Sequence, residues 1–179
     1  MLNETNTLII CIDIQEKLVN MLGEKKDKIK QNAIKLMNCA SILNIDTIIT
    51  EQYPKGLGET IEEIKNIKNF TTLEKTTFSA FQTKEIKEEI IKRKKENIII
   101  FGIESHICVY QTVLDLLNEG YNVYIAHDCS SSRSDENHKT ALELMKQFGA
   151  KITCLEIILF EFLKTSRHPN FKEIQALIK

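Results

Sequence analysis

Three residues of reactive type each sit at or a few residues beyond the end of a short strand-like run. Asp13 closes Leu8-Ile9-Ile10-Cys11-Ile12, Lys75 closes Thr71-Thr72-Leu73-Glu74, and Cys108 follows Phe101-Gly102-Ile103-Glu104-Ser105-His106-Ile107. A thiol, a carboxylate and an ammonium brought together can perform nucleophilic catalysis without histidine. Cys108 falls in the first turn of an expected helix, where unpaired N–H groups and the positive dipole end favour thiolate, and a nearby Lys75 would favour it further. Asp13 could accept the thiol proton and return it to a leaving group, with the ammonium holding the carboxylate in place. On this reading the Lys75 charge serves the site rather than the core, so Lys75→Met is expected to change stability little.

Each residue taken singly has a plainer role. An aspartate at a strand end is often a cap, a lysine is often a surface charge, and buried cysteines are usually inert packing residues. The other four cysteines, Cys11, Cys39, Cys129 and Cys154, lack a helix start with a cationic partner and read as packing residues. Five cysteines leave one unpaired and contain no CxxC, which fits free thiols in a reducing, cytoplasmic compartment.

The elements that must position these residues alternate. Six β-branched runs, at Thr7 to Asp13, Asp46 to Glu51, Thr71 to Lys75, Asn97 to Gly102, Tyr121 to His127 and Lys151 to Leu155, predict strands that mostly lack polar alternation. That is the pattern of parallel strands covered on both faces. Between them, Ile29, Ala33, Leu36, Met37, Ala40 and Leu43, then Ile86, Ile90 and Ile91, then Ala141, Leu144, Met145 and Phe148 recur at helical spacing. Gly120 and Gly149 follow predicted helix ends, where a left-handed residue commonly stops a helix. In open α/β sheets ligands sit beyond the carboxyl ends of the strands, near the point where strand order reverses. Asp13, Lys75 and Cys108 all belong to that edge.

With 179 residues and no break in composition, one domain over 1–179 is expected. A formal net charge of -1 offers no general attraction to nucleic acid or anionic lipid, and the run Lys92 to Lys95 reads as a solvated helix end. The apolar stretches are too short to span a membrane, and polar Met1 to Thr7 has no secretory pattern, so the mature chain is expected to begin there.

Several motifs in order resemble the isochorismatase-like cysteine hydrolases, the family that includes nicotinamidases. They are Leu8 to Gln15, Thr50-Glu51-Gln52-Tyr53-Pro54-Lys55-Gly56-Leu57-Gly58, Glu74 to Phe81, Gly102 to Val109, Asp128 to Arg133, and Glu156 with Leu159-Phe160. The resemblance implies a three-layer α/β/α sandwich around a six-stranded parallel sheet of order 3-2-1-4-5-6. It puts a catalytic triad on Asp13, Lys75 and Cys108, and an oxyanion hole on the backbone N–H groups of Glu104 and Cys108, after a cis Ile103–Glu104 peptide bond. Gly102, at the bend before it, is expected to leave no room for a side chain. Gln15, Tyr53 and Phe78 are implied pocket residues, and His106, two residues before the nucleophile, is expected at the pocket mouth.

Departures from the family bear on substrate. The segment after the second strand lacks the Asp-x-His pair and further histidine of metal-containing nicotinamidases, so no metal or other cofactor is expected. His127, His138 and His168 read as surface or capping residues. An anion such as isochorismate wants basic pocket residues, and beyond Lys75 only Lys55 and Arg133 are candidates. The closest resemblance is to divergent isochorismatase-domain proteins of unassigned substrate. The expected activity is cofactor-free hydrolysis of a non-peptide C–N bond in a small amide or related molecule, through a thioester. The alternative is a non-catalytic binding or scaffold protein on the same fold. The apolar Ile157-Ile158-Leu159-Phe160 with Phe162-Leu163 exceeds what one helix face needs and predicts a homo-oligomer.

Overall fold

A computed structural model describes residues 2–67 and 70–179. Its strands are β1 (Thr7–Ile12), β2 (Asp46–Gln52), β3 (Thr71–Lys75), β4 (Asn97–Gly102), β5 (Asn122–Ala126) and β6 (Lys151–Thr153). They form one parallel sheet of order β3-β2-β1-β4-β5-β6, the order implied by the resemblance. The helices are α1 (Glu16–Asn20), α2 (Lys26–Ile42), α3 (Pro54–Leu57), α4 (Glu62–Lys65), α5 (Lys84–Arg93), α6 (Tyr110–Asn118), α7 (Asp135–Gln147), α8 (Leu155–Leu163) and α9 (Phe171–Ala176).

Every residue of β1 and β4 is buried, because the central strands are covered on both faces. Alternate residues go to opposite sides. Ile9, Cys11, Ile49, Ile99 and Phe101 join a core built with α2 and α8, while Leu8, Ile10, Ile12, Ile48, Ile98 and Ile100 join one built with α5, α6 and α7. Three layers result, and β1 and β4 meet at the reversal of strand order.

The fifth and sixth strands are shorter than expected. His127–Cys129 winds into a 3-10 turn, and Leu155 opens α8 with its N–H bonded to the Asp128 carboxylate at 2.8 Å. Gly120 and Gly149 adopt φ of +86° and +107°, ending α6 and α7 as expected. Ile91, Leu144 and Phe148, expected to cover the sheet, are instead exposed. In the basic run, Arg93 and Lys95 are not simply solvated, because both pair with Asp46 at the start of β2.

Candidate active site

Strand register decides what meets at the carboxyl edge. Ile12 lies opposite Thr50 on one side and Gly102 on the other, and Gln52 lies opposite Lys75. Asp13 leaves β1 with a φ of +51°, a left-handed conformation that aspartate tolerates better than most residues. Its N–H still bonds the Thr50 carbonyl at 3.1 Å. Gly102 has a φ of +141°, and a Cβ there would stand 2.0 Å from the Ile12 carbonyl oxygen. The expectation of no room at the bend is met, and the obstacle is the backbone of the neighbouring strand.

The buried Lys75 ammonium reaches the Asp13 Oδ2 at 2.6 Å, with neither side chain exposed. It also donates to Gln52 Oε1 at 2.7 Å and lies 3.2 Å from the Phe78 carbonyl and 3.3 Å from that of Thr77. Its three hydrogens are thereby engaged. The other Asp13 oxygen, Oδ1, accepts the Thr50 hydroxyl at 2.6 Å. A buried charge pair persists when hydrogen bonds satisfy its remaining capacity, and here they do.

Cys108 belongs to a π-helical turn, Ser105–Val109, that leads into α6. Such turns often mark functional sites. The thiol is 6% exposed and interacts with both Asp13 and Lys75. Burial and the Asp13 carboxylate push it up to about 12, while Lys75 pulls it down by less. The expectation of a favoured thiolate is therefore corrected: desolvation dominates, and the Lys75 charge is already matched by Asp13.

The turn is fastened to the segment after β5. Ser131 N–H donates to the Gly102 carbonyl at 3.2 Å, and Ser105 N–H donates to the Ser131 carbonyl at 2.9 Å. The Ile103–Glu104 peptide bond is cis. The Glu104 carboxylate accepts the Arg133 N–H at 3.0 Å, and its own N–H has no hydrogen-bond partner among the described residues. Ser105 Oγ and His138 Nδ1 are 2.8 Å apart, so His138 ties α7 to the π-helical turn rather than serving as a surface or capping residue. Burial, together with His127 and Lys25, holds the His138 imidazole below its ordinary range.

The four expected pocket residues separate. Tyr53 and Phe78 are each 55% exposed. Tyr53 lines a cavity of about 310 Å³ with Lys55, Glu74, Lys75 and Thr76. Gln15 is buried, and its amide is fully occupied: Nε2 donates to the carbonyls of Gln52 and Gly58, and Oε1 accepts the Gln52 N–H at 2.7 Å. It ties the end of β2 to the loop that follows. His106 Nδ1 lies 2.9 Å from Ser132 Oγ, and the ring lines a different cavity of about 230 Å³, between the turn and α7, that none of Asp13, Lys75 and Cys108 lines.

Thr50, Gln52 and His138 are site residues that the sequence reading does not single out. Thr50 and Gln52 carry a readable signal, since counting by two from the buried Ile48 puts both on the Lys75 face of β2. His138 has none, because its contact depends on how α7 docks. Among the described residues, no group of three or more His, Cys, Asp or Glu side chains could hold a metal ion, and no helix is long and apolar enough to cross a membrane.

Comparison with known proteins gives a consistent result. The isochorismatase domain family model matches residues 7–157. Isochorismatase family protein 1A of Dictyostelium discoideum is 39% identical over 178 residues, covering 97% of this chain and 85% of that protein. A solved structure of the MAR1 ribonuclease from Caenorhabditis elegans is 40% identical with a TM-score of 0.92, covering 99% of this chain and 91% of that one. The Escherichia coli YcaC gene product, described as an octameric hydrolase of unknown specificity, shares the fold at a TM-score of 0.89 and 21% identity, over 98% of this chain and 94% of that one.

Proposed function

Because this chain belongs to the isochorismatase-domain family, we propose that it is a cysteine hydrolase of small amides or related molecules, with Cys108 as nucleophile, Asp13 as proton acceptor and Lys75 as a fixed cation. The observation that carries this reading is the fully buried Asp13–Lys75 pair, both members of which act electrostatically on the Cys108 thiol at the carboxyl edge of the sheet.

Burial and the Asp13 carboxylate push the Cys108 thiol up, which favours the protonated thiol over free thiolate as the resting nucleophile. Proton removal must accompany attack. As Sγ bonds to the substrate carbonyl carbon, its proton passes to Asp13 and the carbonyl electrons move onto oxygen. That oxyanion is held by the N–H groups of Glu104 and Cys108. Collapse breaks the C–N bond, the amine departs with the proton from Asp13, and a thioester remains. Water then attacks the thioester, loses a proton to Asp13 and releases the acid as Sγ regains its proton. No cofactor enters this sequence. The Lys75 ammonium, with its hydrogens engaged, orients Asp13.

A ribonuclease name on three related structures raises a second substrate class. The net charge of -1 lacks the phosphate-binding surplus that polynucleotide affinity needs. The cavity lined by Lys75 and Tyr53 also holds Lys55 and Glu74, a mixed-charge lining rather than a basic one, and this favours a small molecule over a polyanion. Free thiols at all five cysteines favour a reducing compartment, which we take to be the cytoplasm. Ile157, 56% exposed, and Phe160, 39% exposed, lie on α8 and favour assembly into a homo-oligomer, in keeping with the octameric E. coli neighbour.

The test is a panel of amides, carbamates and single-stranded RNA offered to the wild type and Cys108→Ala. Amide turnover lost in the variant, with a thioester adduct on the Cys108 peptide by mass spectrometry, is expected. RNA cleavage that survives Cys108→Ala, or no thiol-dependent turnover of any substrate, would overturn the reading; the latter would leave the non-catalytic binding protein.

A further inference from the structure

The charged half of the site comes from β1 and β3, but the strand between them supplies two neutral side chains that complete it. Thr50 and Gln52 share one face of β2. The Thr50 hydroxyl donates to Asp13 Oδ1 at 2.6 Å, while Gln52 Oε1 accepts from Lys75 at 2.7 Å. Thr50 is wholly buried. The Gln52 amide is itself fixed, its Nε2 donating to the Thr76 carbonyl at 3.0 Å.

These contacts constrain rotation. A carboxylate held only through Oδ2 by Lys75 could turn about its terminal bond, because that torsion is broad. A second donor on Oδ1 removes that freedom, and it also satisfies a lone pair that would otherwise be buried without a partner. A proton acceptor must present its lone pair within hydrogen-bond reach of the thiol, so the angle of this carboxylate governs the transfer.

We propose that Thr50 is a positioning residue for proton transfer, its hydroxyl fixing the plane of the Asp13 carboxylate so that Asp13 takes the Cys108 proton as sulfur attacks. Gln52 supports it by holding the Lys75 ammonium. This rests on the reading of Asp13 as proton acceptor. The titratable groups that act on Asp13 are Lys75 from β3, in direct contact, and, electrostatically, Cys108 from the π-helical turn and Cys11 from β1.

Alkylation of Cys108 by iodoacetamide, followed by peptide mass spectrometry across pH 5 to 9, tests this without a known substrate. Thr50→Val keeps the shape and deletes the hydroxyl; Thr50→Ser keeps the hydroxyl. The valine variant is expected to label Cys108 at least about tenfold more slowly and with an altered pH profile, the scale of a lost hydrogen bond to a charged group. Labelling of half-exposed Cys154 should be unchanged, and Thr50→Ser should return to within about threefold of the wild type. Equal rates and profiles for the valine variant and the wild type would overturn the proposal, as would a serine variant as slow as valine. If Thr50→Val does not fold, Thr50→Ala against Thr50→Ser gives the same contrast. A wild type that turns over no substrate while the labelling contrast persists would sink the hydrolase reading and leave this one standing.

Discussion

The Lys75 ammonium and the Asp13 carboxylate lie 2.6 Å apart with no solvent on either side chain. Removing one partner of such a pair leaves the other charge buried and uncompensated, at a cost of about 3 to 5 kcal/mol. The expectation that Lys75→Met would hardly affect stability is thereby revised. Lys75→Met should lower unfolding free energy by that order in urea titrations, and Lys75→Met with Asp13→Asn should recover much of the loss. A single variant as stable as the wild type would contradict the cost assigned to breaking the buried pair.

Reactivity at Cys108 should depend on Asp13 more than on exposure. Cys154, being half-exposed, is expected to alkylate early, whereas buried Cys11, Cys39 and Cys129 have thiols pushed upward mainly by burial and should label only on unfolding. Cys108 should label in the native protein, and Asp13→Asn should slow it at least about tenfold at pH 7.5. Unchanged Cys108 labelling in that variant would remove Asp13 as proton acceptor.

Gly102→Ala should be far more costly than Gly120→Ala. A Cβ at Gly102 would overlap the Ile12 carbonyl at 2.0 Å, whereas nothing lies within 4 Å of one at Gly120, although φ is positive at both. The second change should cost about 1 to 2 kcal/mol, the left-handed penalty alone. The first should exceed it by at least about 2 kcal/mol or prevent folding. Denaturation midpoints of the two variants provide the comparison, and equal losses would contradict the close approach.

Acid should loosen the nucleophile turn through His138. Its imidazole is held below the ordinary value of 6.5 by burial, so the folded protein binds its proton less readily than the unfolded chain. This contribution is complete above pH 6.5 and falls away as pH drops through that value toward the lower folded one. Thermal melts between pH 7.5 and 5.5 should show a smaller loss for His138→Gln than for the wild type. Parallel losses would show that His138 titrates alike in both states.

Assembly should respond to α8. Ile157→Glu with Phe160→Lys places charge on the exposed apolar face without touching buried Ile158, Leu159, Phe162 or Leu163. Light scattering is expected to give a multimer for the wild type and a smaller species for the variant. A monomeric wild type at micromolar concentration would dispose of the homo-oligomer.

Periodicity along the chain was enough for the sheet and its layers, because a strand buried on both faces must be apolar throughout and a covering helix must repeat at its own pitch. Position relative to strand ends was enough to single out Asp13, Lys75 and Cys108 as candidates, since parallel strands deliver their carboxyl ends to one edge. Which state the thiol occupies was not legible. A helix start argues for thiolate, and only the packed structure reveals that desolvation beside Asp13 outweighs it. The same holds for Gln15 and His106, whose side chains were free in the sequence but are committed to the loop after β2 and to Ser132 in the fold. Hydrogen-bond partners separated by 26 to 37 residues are set by register and helix docking, quantities that local composition does not encode.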